Sequence, residues 1–204
     1  MADLTAPDTA RAAAVAAAIR GSAALLDRLA ADAALCAVTA EAAALVSARL
    51  REGNKLLLCG NGGSAADAQH WAGELVSRFN YDRPGLAAIA LTTDSSNLTA
   101  IGNDYGYDRT FARQVEALGS SGDVLFALST SGRSANILAA LTAARARGVA
   151  TVGFTGAGGG DMVALCDLII RVPSTSTPAI QEAHEVLGHI ICGMIEAEMF
   201  PRPG

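Results

Sequence analysis

His70 and Glu74 are the first pair of residues in this sequence whose types and spacing can do chemistry. They follow the glycine-rich segment 60–64, Gly-Asn-Gly-Gly-Ser, inside a stretch whose apolar residues recur at helical spacing. Residues four positions apart share one face of a helix, so both side chains project together. An imidazole and a carboxylate placed in this way can bind a metal ion or move a proton.

A second helical stretch, residues 179–199, carries Gln181 and the other two histidines, His184 and His189. Histidine, glutamate and an amide oxygen together suit a divalent transition metal such as zinc. The spacing does not choose between His184 and His189. Residues three and eight positions after Gln181 deviate comparably from its helix face, on opposite sides.

Hydroxyl side chains cluster where an apolar run meets an alanine-rich helix that extends to Arg147. They are Ser129, Thr130, Ser131 and Ser134. Hydroxyls and free backbone N–H groups at a helix N-terminus bind phosphate, so this turn predicts a phosphate site. The alternative is an ordinary N-cap by Ser131 or Ser134. The turn has neither the Gly-Lys-Ser/Thr of a Walker loop nor a GxGxxG pattern, so nucleotide binding has little support.

Short apolar runs separated by helical patterns predict an open parallel α/β sheet of five strands with helices on both faces. The expected strands are residues 56–59, 86–90, 123–129, 149–155 and 168–172. In such sheets ligands bind at the carboxyl ends of strands, near a point where the strand order reverses. Because both polar turns follow strands, we expect them to meet at one site.

Residues 8–52 are rich in alanine and predict two helices, beginning near Pro7-Asp8 and separated by a pause at residues 36–39. We expect these helices to serve packing or assembly. Residues 94–111 are polar and contain two glycines, which fits either a surface loop or a lid over a substrate.

Composition limits the possible partners and compartment. The net charge of −5 argues against nucleic acid as the main partner. No apolar run approaches the ~20 residues needed to span a bilayer, and no signal-peptide pattern is visible, so we expect no membrane association. The four cysteines are widely spaced, which predicts buried, reduced thiols in a cytoplasmic protein.

Four ordered motifs resemble the phosphoheptose isomerases of the sugar isomerase (SIS) family. They read CGNGGSAADAQHWAGEL, AIGNDYGY, STSGRSANIL and IQEAHEVLGHIICGMIE. The resemblance runs from about residue 10 to the end. It implies a single flavodoxin-like SIS domain over 1–204, with an N-terminal helical pair at 8–52 and an α/β core with closing helix at 53–200.

The resemblance also implies an activity and a ligand set. These enzymes interconvert sedoheptulose 7-phosphate and D-glycero-D-manno-heptose 7-phosphate, the first step of heptose biosynthesis, with one zinc ion per subunit of a homotetramer. The implied metal ligands are His70, Glu74, Gln181 and His189, which selects His189 over His184. The implied substrate contacts are Asn61, Gly62, Gly63, Ser64, Glu74, Asn103, Asp104, Ser129, Thr130, Ser131, Ser134 and Gln181.

Aldose–ketose isomerisation moves a proton between two carbons through an enediol, and it needs an acid, a base and a cation near the oxygens. We expect Glu74 and His189 to be the acid–base pair. The family often carries an acidic residue near the position of Pro178, where this chain has none, and Asp104 is a candidate substitute. The alternative function is a noncatalytic SIS-domain tetramer that senses a phosphosugar or binds the replication initiator.

Overall fold

The computed structural model describes residues 9–202. The helix start expected at Pro7-Asp8 lies outside these residues, as do the ends of the expected 1–204 domain. The described elements are α1 (Thr9–Ala31), α2 (Ala33–Arg51), β1 (Leu56–Gly60), α3 (Gly63–Val76), β2 (Ala88–Ala90), α4 (Ser95–Tyr105), α5 (Thr110–Leu118), β3 (Val124–Leu128), α6 (Ala135–Ala146), β4 (Ala150–Thr155), β5 (Leu168–Arg171) and α7 (Thr177–Met199).

The five strands form one parallel sheet in the order β2-β1-β3-β4-β5, which confirms the predicted fold class. Strand order reverses between β1 and β3, because the chain passes from β1 to β2 on one side and returns to β3 on the other. Gly60 at the end of β1 is in register with Leu128 at the end of β3. The turns that follow these strands therefore leave neighbouring positions at the point where α/β sheets bind ligands.

Side-chain alternation along β1 divides the core into two layers. Leu56 and Leu58 belong to the cluster under α1, α2, α3 and α7, whereas Leu57 and Cys59 belong to the cluster under α5 and α6. Successive residues of a strand face opposite sides of the sheet, so a continuous apolar run is what a sheet covered on both faces requires. The expectation of helices on both faces is confirmed.

The first two helices break at Asp32 rather than at the predicted pause over residues 36–39. The Asp32 carboxylate accepts hydrogen bonds from the backbone N–H groups of Ala34 and Leu35 and so caps α2. Residues 36–39, where the pause was predicted, lie inside α2.

By length and composition alone, α1 and α2 are apolar enough to cross a membrane, so the expectation that no stretch approaches that length was wrong. This is weak evidence for a membrane, because core helices of soluble proteins pass the same test. Leu25 and Leu29 of α1 are buried against the rest of the protein, while Val15 and Ile19 are exposed.

Residues 95–105 and 107–111 are helical, so the surface-loop alternative was wrong, and a lid over a substrate stays a prediction. Asp94 caps α4 by accepting from the N–H of Asn97, and α4, a short 3-10 turn and α5 follow one another. Polar composition misled here because α4 has no buried residue and needs no apolar stripe.

The cysteines of residues 9–202 are all free, in agreement with reduced thiols. Cys59 and Cys192 are buried as predicted, whereas Cys36 is exposed and Cys166 is only partly buried.

Candidate active site

The turn after β1 brings the backbone close to α7. Gly62 has a φ of +57°, a conformation that side-chain-bearing residues rarely adopt. A Cβ on Gly63 would lie 2.5 Å from Nε2 of Gln181, so the α7 amide packs directly on the start of α3. The predicted substrate contact Ser64 is buried, unlike its exposed neighbours Gly62 and Gly63. The sequence-predicted residues Gly63 and Gln181 are therefore in contact.

Asn61 connects the two polar turns. Its side-chain amide exchanges two hydrogen bonds of 2.9 Å with the amide of Asn136, at the start of α6. The Tyr107 hydroxyl donates to Oδ1 of Asn61 at 2.9 Å. Asn136 is buried and was not identified from the sequence, where its place two residues after Ser134 was the only available signal.

The structure brings His70 and His189 together. Their Nε2 atoms are 2.9 Å apart and their ring centroids 5.1 Å apart. Oε1 of Glu74 lies 3.4 Å from Nε2 of His70, as helical spacing predicted. The ring of Phe79, in the segment after α3, lies 5.4 Å from the His189 ring.

His184 does not join this cluster. It is fully buried, and Nε2 lies 3.4 Å from the carbonyl oxygen of Thr155 at the end of β4. Burial lowers the pKa of His184 to about 4, which keeps the ring neutral. The choice that helical spacing left open is thus made by packing, because one histidine faces the sheet and the other faces α3.

Glu185 is a member of the cluster that sequence reasoning missed. Its Oε1 lies 3.2 Å from Nε2 of His70 and 3.3 Å from Nε2 of His189. Its Oε2 accepts a hydrogen bond of 3.0 Å from Nε1 of Trp71. The available signal was its position four residues before His189, which places both side chains on one face of α7.

The donor atoms of His70, Glu185 and His189 all lie within 4.8 Å of one another. Two imidazole nitrogens and a carboxylate oxygen form a donor set that suits zinc. Lone pairs that point toward one another repel unless a proton or a cation lies between them, so these residues fit a metal ion. Beside them, a cavity of about 420 Å³ opens on α3, lined by Ala66, Gln69, His70, Gly73 and Glu74.

Asp67 adds a further carboxylate to this region, one turn before His70. Burial and, to a smaller extent, the negative charge of Glu185 raise the pKa of Asp67 to about 6, against an opposing effect of His70. Within the described chain Oδ2 of Asp67 is buried without a hydrogen-bond partner. The concentration of carboxylates around His70 favours a bound cation.

The hydroxyl-rich turn after β3 is compact. Oγ of Ser129 lies 3.0 Å from Oγ of Ser134 and 3.4 Å from Oγ of Ser131. Ser134 precedes α6 but its side chain makes no capping hydrogen bond, so the ordinary N-cap alternative does not describe it. Thr130 and Ser131 also line a cavity of about 250 Å³ with Arg133 and residues 156–158.

Asn103 and Asp104 lie in the last turn of α4. Both are exposed, and Nδ2 of Asn103 donates to Oδ1 of Asp104 at 2.8 Å. No hydrogen bond joins either side chain to His70, Glu74 or His189 among residues 9–202.

Comparison with known proteins gives consistent matches. A family model of the SIS domain matches residues 19–156. The chain is 61% identical over 170 residues to a phosphoheptose isomerase of Burkholderia pseudomallei, covering 83% of this chain and 86% of that protein. It is 60% identical over 157 residues to one of Rhodospirillum rubrum, covering 77% of this chain and 84% of that protein.

Two solved structures of phosphoheptose isomerases also match the chain. The phosphoheptose isomerase GmhA from Neisseria gonorrhoeae superposes with a TM-score of 0.84 at 45% identity, covering 90% of this chain and 97% of that one. A phosphoheptose isomerase from Francisella tularensis superposes with a TM-score of 0.86 at 37% identity, covering 91% and 97%.

Proposed function

The chain belongs to the SIS-domain family and, within it, to the phosphoheptose isomerases, and from this membership we propose that it interconverts sedoheptulose 7-phosphate and D-glycero-D-manno-heptose 7-phosphate. It is therefore a sugar-phosphate isomerase, and the proposed reaction is the first step of heptose biosynthesis. The observation that carries the proposal is the meeting of His70 and His189, whose Nε2 atoms lie 2.9 Å apart. The hydroxyl-rich turn follows β3, which pairs with the strand that leads into α3.

Phosphate binding is proposed for the turn after β3. Hydroxyls that follow β3 and precede α6 can donate to phosphate oxygens, and the Oγ atoms of three of them lie close together. A fixed phosphate positions the reacting carbons at the other end of the sugar. The residues proposed for this role are Ser129, Thr130, Ser131 and Ser134. The other proposed substrate contacts are Asn61, Gly62, Gly63, Ser64, Glu74, Asn103, Asp104 and Gln181.

A zinc ion, one per subunit, is proposed at His70, Glu74, Gln181 and His189. The 2.9 Å separation of the two histidine nitrogens and the fit of the donor set support this proposal. When bound, the ion supplies positive charge that stabilises the oxyanion developing during isomerisation.

Glu74 and His189 are the proposed proton carriers. One of them takes the proton from the carbon that loses it, and the other exchanges a proton on the opposite side of the enediol. The roles interchange with the direction of the reaction. The side chains lie on α3 and α7, which pack against each other, and Glu74 lines the cavity that opens on α3.

Assembly as a homotetramer is proposed for a single SIS domain spanning residues 1–204. Exposed apolar side chains on α1 and α7 support it, because such side chains favour burial in an interface. They are Val15, Ile19, Val186 and Ile190. A cytoplasmic location is proposed on the basis of the free cysteines.

The test is to purify the protein without chelator, measure bound zinc, and follow sedoheptulose 7-phosphate by NMR with and without EDTA. We expect conversion that stops with EDTA and returns with zinc. Bound zinc without conversion would point to another sugar phosphate. A protein that holds no zinc and does not convert the sugar would favour the noncatalytic sensor or scaffold.

A further inference from the structure

The segment that follows α3 is held to α7 by a buried ion pair, Arg83 with Glu196. Nε of Arg83 lies 3.2 Å from Oε1 of Glu196, and the two side chains are 2% and 0% exposed. The carboxylate also binds backbone: Oε1 accepts from the N–H of Phe79 at 2.9 Å, and Oε2 accepts from that of Asn80 at 2.7 Å. Buried charges need such complete pairing, so the contact is specific in both its charge and its hydrogen bonds.

The Arg83 side chain also caps the last turn of α3. Its Nη1 donates to the carbonyl oxygens of Leu75 at 2.6 Å and Ser77 at 3.2 Å, and its Nη2 donates to that of Glu74 at 2.8 Å. The last carbonyl groups of a helix lack partners within the helix, so a guanidinium at this end satisfies them and interacts favourably with the helix dipole. The turn that carries Glu74 is therefore held from outside the helix, at the carbonyl oxygen of Glu74 itself.

Phe79 connects the same ion pair to His189. Its N–H donates to Glu196, and its ring lies 5.4 Å from the His189 ring. A Cβ on Gly193 would lie 3.2 Å from Cε1 of Phe79, so the ring packs directly on α7. Along α7, Gly193 comes four residues after His189, and Glu196 three residues after Gly193, which places all of them on one face of the helix. One face of α7 thus presents both the histidine and the carboxylate that fixes the neighbouring ring.

We propose that the buried pair of Arg83 and Glu196 positions the two proton carriers of the reaction. It holds Glu74 through the cap on α3, and it holds His189 through the ring of Phe79. This inference rests on the acid–base roles that the proposed function gives to Glu74 and His189. Arg83 and Glu196 act through backbone groups and through that ring, so they are positioning residues.

Loss of the ion pair should affect turnover more than substrate binding. Catalytic side chains need supporting contacts that hold their geometry, and a misplacement of ~1 Å can cost ~10²-fold in rate. Without the guanidinium, the last turn of α3 loses its cap, and Glu74 loses its fixed position. The hydroxyl-rich turn proposed for phosphate follows β3, so the substrate keeps its anchor. A change of this kind lowers kcat and leaves KM nearly unchanged.

The test measures kcat and KM for sedoheptulose 7-phosphate in four proteins: wild type, Glu196→Gln, Arg83→Lys and Asp123→Asn. Arg83→Lys keeps the charge of the pair but loses the planar fork of donors. Asp123 is the matched control, because it is a buried carboxylate that binds the Lys55 ammonium at 2.6 Å and accepts from the backbone N–H groups of Lys55 and Ser120. It precedes β3, at the opposite end of the strand from the hydroxyl-rich turn. Circular dichroism gives the folded fraction of each protein, and mass spectrometry follows amide hydrogen exchange in residues 74–80.

We expect Glu196→Gln and Arg83→Lys to lower kcat per folded molecule by roughly 10- to 100-fold, with KM changed less than about 3-fold. Asp123→Asn should change neither constant by more than about 3-fold, because it removes the same kind of pair away from the site. A folded Glu196→Gln protein whose kcat falls less than about 10-fold would overturn the proposal, and so would an equal fall in Asp123→Asn. If Glu196→Gln does not fold, Arg83→Lys decides by the same limit.

The positioning role and the proposed function fail differently. Unchanged kcat in folded Glu196→Gln, with a wild type that isomerises sedoheptulose 7-phosphate, removes the positioning role and leaves the function intact. A wild type that does not act on this sugar removes the substrate, and hydrogen exchange then decides the positioning role. Faster exchange of residues 74–80 in Glu196→Gln, but not in Asp123→Asn, supports the hold of the ion pair on the end of α3, whereas equal exchange in the two variants overturns it.

Discussion

Nε2 of His70 and Nε2 of His189 lie 2.9 Å apart although 119 residues separate them in the chain. The contact exists because α3 and α7 pack side by side over the same face of the sheet. Gly63 contacts Gln181 and Gly188 receives Trp71, so the two helices approach closely at both positions. The proposed metal site is therefore a product of helix packing.

Replacing His70 by alanine should remove zinc. A direct ligand is lost, and we expect a larger effect than the ~10–100-fold that follows loss of an outer partner. The measurement is zinc content after gel filtration in chelator-free buffer. Gln69→Ala, at the exposed neighbouring position, is the control, and stoichiometric zinc in His70→Ala would rule out this ligand.

Glu74→Gln should abolish isomerisation without dissociating the oligomer. General acid–base catalysis contributes ~10²–10⁴-fold, so kcat should fall by about this factor. NMR measures conversion of sedoheptulose 7-phosphate, and light scattering measures the assembly. Unchanged turnover in a correctly assembled variant would remove Glu74 from the proposed chemistry.

Ser134→Ala should weaken binding of the substrate phosphate. Hydrogen bonds to charged groups contribute ~1.5–3 kcal/mol, which corresponds to an increase in KM of about 10-fold or more. Thr142→Val is a matched loss of a hydroxyl on the same helix, because Thr142 donates only to the carbonyl of Leu138. Equal KM values in the two variants would contradict the phosphate role.

Protonation of Glu196 should lower the free energy of unfolding in acid. Its carboxylate is buried, which alone would raise its pKa. Hydrogen bonds from the N–H groups of Asn80 and Phe79 and from Arg83 nevertheless lower the pKa below its ordinary value of 4.5. A group with a lowered pKa stabilises the folded state above that value. Its contribution is lost as the pH falls below about 4.5.

Urea unfolding between pH 3 and pH 7 tests this prediction. Glu196→Gln leaves the buried Arg83 without its charged partner and should cost about 3–5 kcal/mol at neutral pH. It should also make the loss of stability in acid shallower. Some slope should remain from Asp123, because hydrogen bonds from Lys55 and Ser120 overcome its burial and lower its pKa too. If the free energy of unfolding of Glu196→Gln falls with pH as steeply as that of the wild type, the role given to Glu196 is refuted.

Gly188→Ala should displace the Trp71 ring. The added methyl group overfills the contact, and overpacking of a core typically costs ~1–3 kcal/mol. Trp71 is the single tryptophan of the chain, so its fluorescence reports the displacement directly. Gly73→Ala, whose Cβ would meet nothing within 4 Å, should instead stabilise by roughly 0.5–1 kcal/mol. Identical emission spectra for wild type and Gly188→Ala would contradict this account.

The local sequence pattern was sufficient to predict the sheet. The apolar run that begins at Leu56 and the glycine turn after it predicted a strand, a turn and a helix, and the structure has all three. Parallel order followed from the alternation of strands and helices, because crossovers of that length join parallel strands. The pairing of His70 with Glu74 also followed from the sequence, since four residues make about one helical turn.

Tertiary structure decided what spacing left open. His184 and His189 were equivalent by spacing, and the packing of α7 turned one toward β4 and the other toward His70. Glu185 and Asn136 entered the site through contacts with residues more than 70 positions away. Sequence periodicity describes one helix at a time, whereas these contacts depend on how two elements are oriented against a shared sheet.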